Sequence, residues 1–179
     1  MAHILPIAGS KGRVRADATN MDPAPEPRFM ERAIELALEG VGRNAGGPFG
    51  AVVVLDGEII GEAHNEVLSR KDPTAHAEVG AIRAASRHLQ SFHLSGAELY
   101  TSCEPCPMCL AAAQWAHITR IWYAGTRADA ASAGFDDAHF YAQLALPPDE
   151  RQMPAEEFLR TAAQPAFEAW LARPDRTAY

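Results

Sequence analysis

Ala51-Val-Val-Val-Leu-Asp-Gly-Glu-Ile-Ile-Gly-Glu-Ala63 reads as two strands joined by a tight turn. Ala51 to Leu55 is a continuous, β-branched run, the pattern of a strand covered on both faces. Asp56-Gly57 supplies two residues that accept positive φ, and residues 58–63 return as the second strand. Upstream, Phe29, Ala33, Ile34, Ala37 and Leu38 recur at helical spacing, and Gly40 and Gly42 end that helix. Downstream, a polar loop runs to Lys71. Asp72-Pro73-Thr74 then predicts a helix start, with a capping side chain and a proline suited to the first turn, and the helix runs to about Leu89. Glu98 to Thr101 is a third strand, Pro107 opens a short helix ending near Ala116, and Arg120 to Ala124 is a fourth strand. The order helix, hairpin, helix, strand, helix, strand predicts an α/β fold, a mixed sheet covered by helices on both faces. Beyond Gly125, helices are expected from Asp137 to about Leu146 and from Ala155 to Ala172, with Pro165 kinking or breaking the second.

The 179 residues suit one domain with a substantial core. Residues 1–27 read as a disordered extension, ending in the polyproline-like Asp22-Pro-Ala-Pro-Glu-Pro27. A net charge of -7 argues against a protein built to grip a phosphate backbone, which needs clustered Lys and Arg. Three cysteines without a secretory signal read as reduced thiols in the cytoplasm. No apolar run is long enough to span a membrane.

Two short motifs carry the chemistry. His76-Ala77-Glu78 and Pro105-Cys106-Pro107-Met108-Cys109 together offer one imidazole, two thiolates and a spare carboxylate. Zinc favours thiolate and imidazole in a tetrahedron, and catalytic sites keep one position open. Cys106 and Cys109 lie where a loop enters a helix, so both sulfurs can reach one Zn2+, and the helix start favours thiolates. His76 falls in the first turn of the preceding helix, so two helix starts should face one another across the ion. Two thiolates and a neutral imidazole already balance Zn2+, which leaves Glu78 free to move protons as general base and then general acid. A bound zinc lowers the pKa of water from about 15.7 to near 7, and the motifs therefore point to a hydrolase. The competing reading is a closed Cys3His structural site completed by Cys103, a zinc-stabilised interaction module without turnover. An iron–sulfur reading of the cysteine spacing fails at Ala113, where the next cysteine would stand.

H-x-E followed by P-C-x-x-C is the signature of zinc nucleobase deaminases, and the chain resembles the cytidine deaminase superfamily. Gly46-Gly-Pro-Phe-Gly-Ala-Val-Val-Val54, Asp72-Pro-Thr-Ala-His-Ala-Glu-Val79, Tyr100-Thr-Ser-Cys-Glu-Pro-Cys-Pro-Met-Cys109 and Gly134-Phe-Asp-Asp137 resemble, within it, the bacterial guanine deaminases. The resemblance covers residues 28–179. It implies a three-layer αβα sandwich with a mixed central sheet of about five strands. Zinc would be held by His76, Cys106 and Cys109, with Glu78 as proton shuttle and Cys103 not a ligand. It further implies a guanine pocket in which Phe49 stacks on the purine and Asn65 hydrogen-bonds it. Asp137, or else Asp136, assists proton transfer at the amine, and Tyr179 closes the site. The implied reaction is guanine to xanthine and ammonia; guanosine, another aminopurine or pyrimidine, or a transfer-RNA adenosine are the alternatives. The implied partner is a second copy, a homodimer in which residues from about 150 to 179 can swap between subunits; the charge balance argues against nucleic acid. From residue type alone, Phe49 could be core, Asn65 could serve a turn, and Asp136 and Asp137 could cap a helix.

Overall fold

The computed structural model describes residues 24–178. The expected extension, for residues 1–23, and Tyr179 lie outside the described residues. Helix α1 spans Pro27–Gly42, followed by β1 (Gly50–Leu55) and β2 (Glu58–His64). The short helix α2 (Val67–Arg70) precedes α3 (Ala77–Leu89), β3 (Glu98–Cys103), α4 (Pro107–Trp115) and β4 (Arg120–Gly125). Helices α5 (Arg127–Ser132), α6 (Ala138–Leu144) and α7 (Arg160–Ala172) complete the described chain.

Among the described residues the sheet has four strands in the order β2-β1-β3-β4, one fewer than the expected number of about five. β1 pairs antiparallel with both β2 and β3, while β3 and β4 run parallel. The sheet is therefore mixed, as expected. Asp56 and Gly57 both adopt positive φ, 51° and 79°, which matches the twist of the hairpin they join. Alternation along β1 builds the layers. Val52 and Val54 pack with Phe29, Leu36 and Tyr100 under α1. Ala51 and Val53 face the other way, onto Ala77, Ala81 and Ala85 of α3 and Ala113 of α4. Those inward residues of α3 and α4 are largely alanine, so the two helices can lie close to the sheet and to each other.

Several boundaries differ from the sequence reading, each for a physical reason. Helix α3 begins at Ala77 and not near Asp72. The Asp72 carboxylate accepts from the Thr74 backbone N–H at 2.8 Å and from its hydroxyl at 2.7 Å, closing a local turn that looks like a cap in sequence. Helix α1 ends at Gly42 as expected, while Gly40 lies inside it, where a Cβ would stand 3.0 Å from the His64 side chain. The expected loop before Lys71 contains α2, too short to have an apolar period. Helix α7 starts at Arg160, after Leu159 turns at φ 55°, and it runs through Pro165. That proline removes the bond its N–H would have made to the Thr161 carbonyl, and the helix continues past it.

Gly50 and Gly61 set how closely the helices approach. A Cβ on Gly50 would fall 2.1 Å from the Ala33 carbonyl oxygen of α1, and one on Gly61 would fall 2.4 Å from the Ala81 carbonyl oxygen of α3. Backbone cannot move aside as a flexible side chain can. Gly50→Ala should therefore cost at least about 2 kcal/mol in denaturant unfolding. Gly42→Ala, where nothing lies within 4 Å, should change stability by less than about 1 kcal/mol. Equal effects of the two substitutions would contradict the close-approach account.

Candidate metal centre and active site

His76 and Cys106 are both helix N-caps with nearly the same extended backbone. His76 has φ −72° and ψ 154° and caps α3; Cys106 has φ −68° and ψ 168° and caps α4. Pro107 preorganises the first turn of α4, and Cys109 follows in that turn, fully buried. The two helix starts face each other. His76 Nδ1 lies 3.6 Å from Cys106 Sγ and 3.4 Å from Cys109 Sγ. A tetrahedral zinc with ordinary bond lengths needs nitrogen–sulfur separations of about 3.6 Å. The donor set thus fits that metal in both chemistry and spacing. Among the described residues, these three form a group able to hold an ion, their donor atoms all within 4.8 Å of one another.

Cys103 is not part of that group. Its buried thiol donates to the Thr126 carbonyl at 3.4 Å, and burial raises its pKa. The closed site with three cysteines is therefore not what the chain builds. The two sulfurs shift each other in opposite directions. Cys106 is lowered to about 4, by the Cys109 thiol, against opposing burial, and by His76. Cys109 is pushed up, by Cys106 and then by burial.

Glu78 is the second residue of α3, 6 % exposed, with its carboxyl raised chiefly by loss of solvent. His76 is the cap of α3 and not, as the sequence suggests, a residue of its first turn; Glu78 is helical, and both line the same cavity. That cavity, about 520 Å3, is also lined by Phe49, Asn65, Cys106, Asp136 and Asp137. Every sequence-derived site residue within the described chain is thus at this cavity or, for Cys109, at the metal group beside it. Asn65 is buried, and its Oδ1 accepts from the backbone N–H groups of Gly47 and Val67, each at 3.2 Å. Asp136, one residue before the Asp137 N-cap of α6, accepts at Oδ1 from the Ala138 N–H at 2.9 Å. Asp137 has its carboxyl raised by desolvation, with Arg127 opposing and Cys106 adding to the shift.

The sequence reading missed Phe135, Arg127 and Glu104, which also line the cavity. Phe135 meets Phe49 edge-on, with ring centroids 5.0 Å apart and planes at 83°. It lies inside the Gly134-Phe-Asp-Asp137 motif, so that motif held the signal.

Residues 24–125 match the sequence model of the cytidine and deoxycytidylate deaminase zinc-binding region. The chain belongs to this deaminase family. Guanine deaminase of Bacillus subtilis is 50% identical over 142 residues, 79% of this chain and 91% of that protein. The tRNA-specific adenosine deaminase of Agrobacterium fabrum is 42% identical over 100 residues, 56% of this chain and 65% of that protein. The solved structure of the Bacillus subtilis guanine deaminase has a TM-score of 0.83 at 46% identity, covering 87% of this chain and 99% of that one. A guanine deaminase from Nitrosomonas europaea has a TM-score of 0.60 at 29% identity, over 77% of this chain and 79% of that one. The zinc-binding region named by the family spans all three residues of the metal group.

The unequal thiols of this family member can be read directly. A lowered pKa leaves Cys106 as thiolate in mild acid, while the raised pKa of Cys103 keeps it protonated. In metal-free protein at about pH 6, iodoacetamide should label Cys106 well before Cys103, and added zinc should suppress that labelling. Peptide mapping by mass spectrometry checks it; equal labelling, or no protection by zinc, would contradict the assignment.

Proposed function

We propose that this chain deaminates guanine hydrolytically to xanthine and ammonia. The observation that carries the reading is the single cavity in which Phe49, Asn65, Glu78 and Asp137 converge beside the His76, Cys106 and Cys109 group. The similarity to guanine deaminases supports the choice of base.

Zinc held by His76, Cys106 and Cys109 would supply a water of lowered pKa as nucleophile. The chain's own residues do the rest. The edge contact from Phe135 fixes the plane of Phe49, whose face can then stack on a purine. With Oδ1 of Asn65 committed to two backbone donors, its Nδ2 is left to donate, and it suits an acceptor on the base such as a carbonyl oxygen or ring nitrogen. Glu78, buried with a raised pKa, can carry both protons of the attacking water, the first to the ring nitrogen and the second, from the added hydroxyl, to the departing amine. Asp137 serves as a second proton group near that amine, while Asp136 is occupied with its helix. One carbon–oxygen bond forms, one carbon–nitrogen bond breaks, and the proton count balances in xanthine and ammonia.

The deaminase domain in this reading is residues 28–179, and the working unit is a homodimer with the segment from about 150 onward exchanged. No apolar side chain of α7 is buried, and Phe167 and Leu171 are both 63% exposed. That unpartnered surface supports a second copy as its cover. We place the enzyme in the cytoplasm, which suits its three free cysteines. Among the described residues, no helix is long and apolar enough to cross a membrane.

Glu78→Gln should retain one zinc per chain and lose ammonia release from guanine by about 100-fold or more. Metal analysis and an ammonia assay over guanine, guanosine, adenine and cytosine check both. A zinc-loaded variant with normal turnover would refute the shuttle role, and wild-type activity confined to another base would refute the substrate.

A further inference from the structure

We propose that Tyr141 is a positioning residue, whose hydroxyl ties the Asp137 end of α6 to the loop that carries Cys106. This rests on the reading of Asp137 as a proton group. The two segments are far apart in sequence, and their relative placement decides whether the carboxylate and the metal ligand face one reacting molecule.

Pro105, immediately before Cys106, is buried and has no N–H, so its carbonyl is its only hydrogen-bonding group. The Tyr141 hydroxyl donates to that carbonyl at 2.8 Å. The Tyr141 backbone N–H donates to the Asp137 carbonyl at 3.3 Å. One residue therefore holds both segments. Arg127 locks the arrangement from the other side. Its guanidinium lies over the Tyr141 ring, 4.3 Å from the centroid, and pairs with Glu104 at 3.2 Å. The Arg127 backbone N–H also donates to Glu104 at 3.3 Å. Glu104 precedes Pro105, so Glu104, Pro105, Tyr141 and Arg127 form a closed ring of contacts. Glu104, Cys106, Arg127 and Asp137 line the cavity, and Tyr141 is not among its lining residues. It therefore acts through what it holds and does not touch the base.

Tyr141→Phe keeps the ring under Arg127 and removes only the hydroxyl. With zinc content unchanged, kcat on guanine should fall about tenfold, while KM stays within about threefold. In an Asp137→Asn background the same change should cost less than about twofold, because the tether then has nothing to position. In the metal-free protein, amide hydrogen exchange across residues 134–141 should speed at least about fivefold. An equal loss in both backgrounds, loss of zinc from Tyr141→Phe, or unchanged exchange would each overturn the proposal. Zinc-loaded wild type that releases no ammonia from guanine would refute the functional reading and this proposal with it; active wild type with an additive cycle refutes this proposal alone.

Discussion

Two helices begin at the same place on one face of the sheet, and the site depends on how closely those beginnings approach. The constraint is steric before it is chemical. Ala77, Ala81 and Ala85 on α3 and Ala113 on α4 present almost no side-chain bulk to each other and to β1. Gly61 of β2 lets α3 settle onto the sheet without a Cβ in its path. Larger residues at these positions would separate the helix starts and spread His76 from the two sulfurs. The metal spacing thus depends on small core residues that are not themselves ligands.

The helix starts also set the electrostatics. Unpaired N–H groups at the first turns of α3 and α4 favour negative charge. That environment suits thiolates at Cys106 and Cys109. Glu78 shares it, yet burial dominates and raises its carboxyl. The same few ångströms therefore stabilise anionic ligands and favour protonation of a neighbouring acid. A proton carrier needs that balance, since a carboxylate with an ordinary pKa is too weak a base to take a proton efficiently near neutral pH.

How much of this was legible in the sequence follows from the range of each interaction. The hairpin could be read because Asp56-Gly57 fixes its own geometry. The metal group could be read because histidine and cysteine at such spacings have few other uses. The start of α3 was misplaced because Asp72 closes a turn with the same atoms it would use to cap a helix. α2 and the start of α7 escaped because neither a single turn nor a left-handed Leu159 leaves a periodic trace. Asp136 and Asp137 are alike in sequence; only the coordinates show that the Asp136 carboxylate accepts from the Ala138 N–H. The contact between Tyr141 and Pro105 spans 36 residues and joins a hydroxyl to a backbone carbonyl, so no residue pattern announces it.

The central claim is that the ion has only three protein ligands, with Cys103 turned to the Thr126 carbonyl. X-ray absorption at the zinc edge reads the neighbours directly. The account predicts two sulfurs at about 2.3 Å and two lighter atoms near 2.0–2.1 Å. A third sulfur in that shell would contradict it, for it would leave no room at the metal beside Glu78.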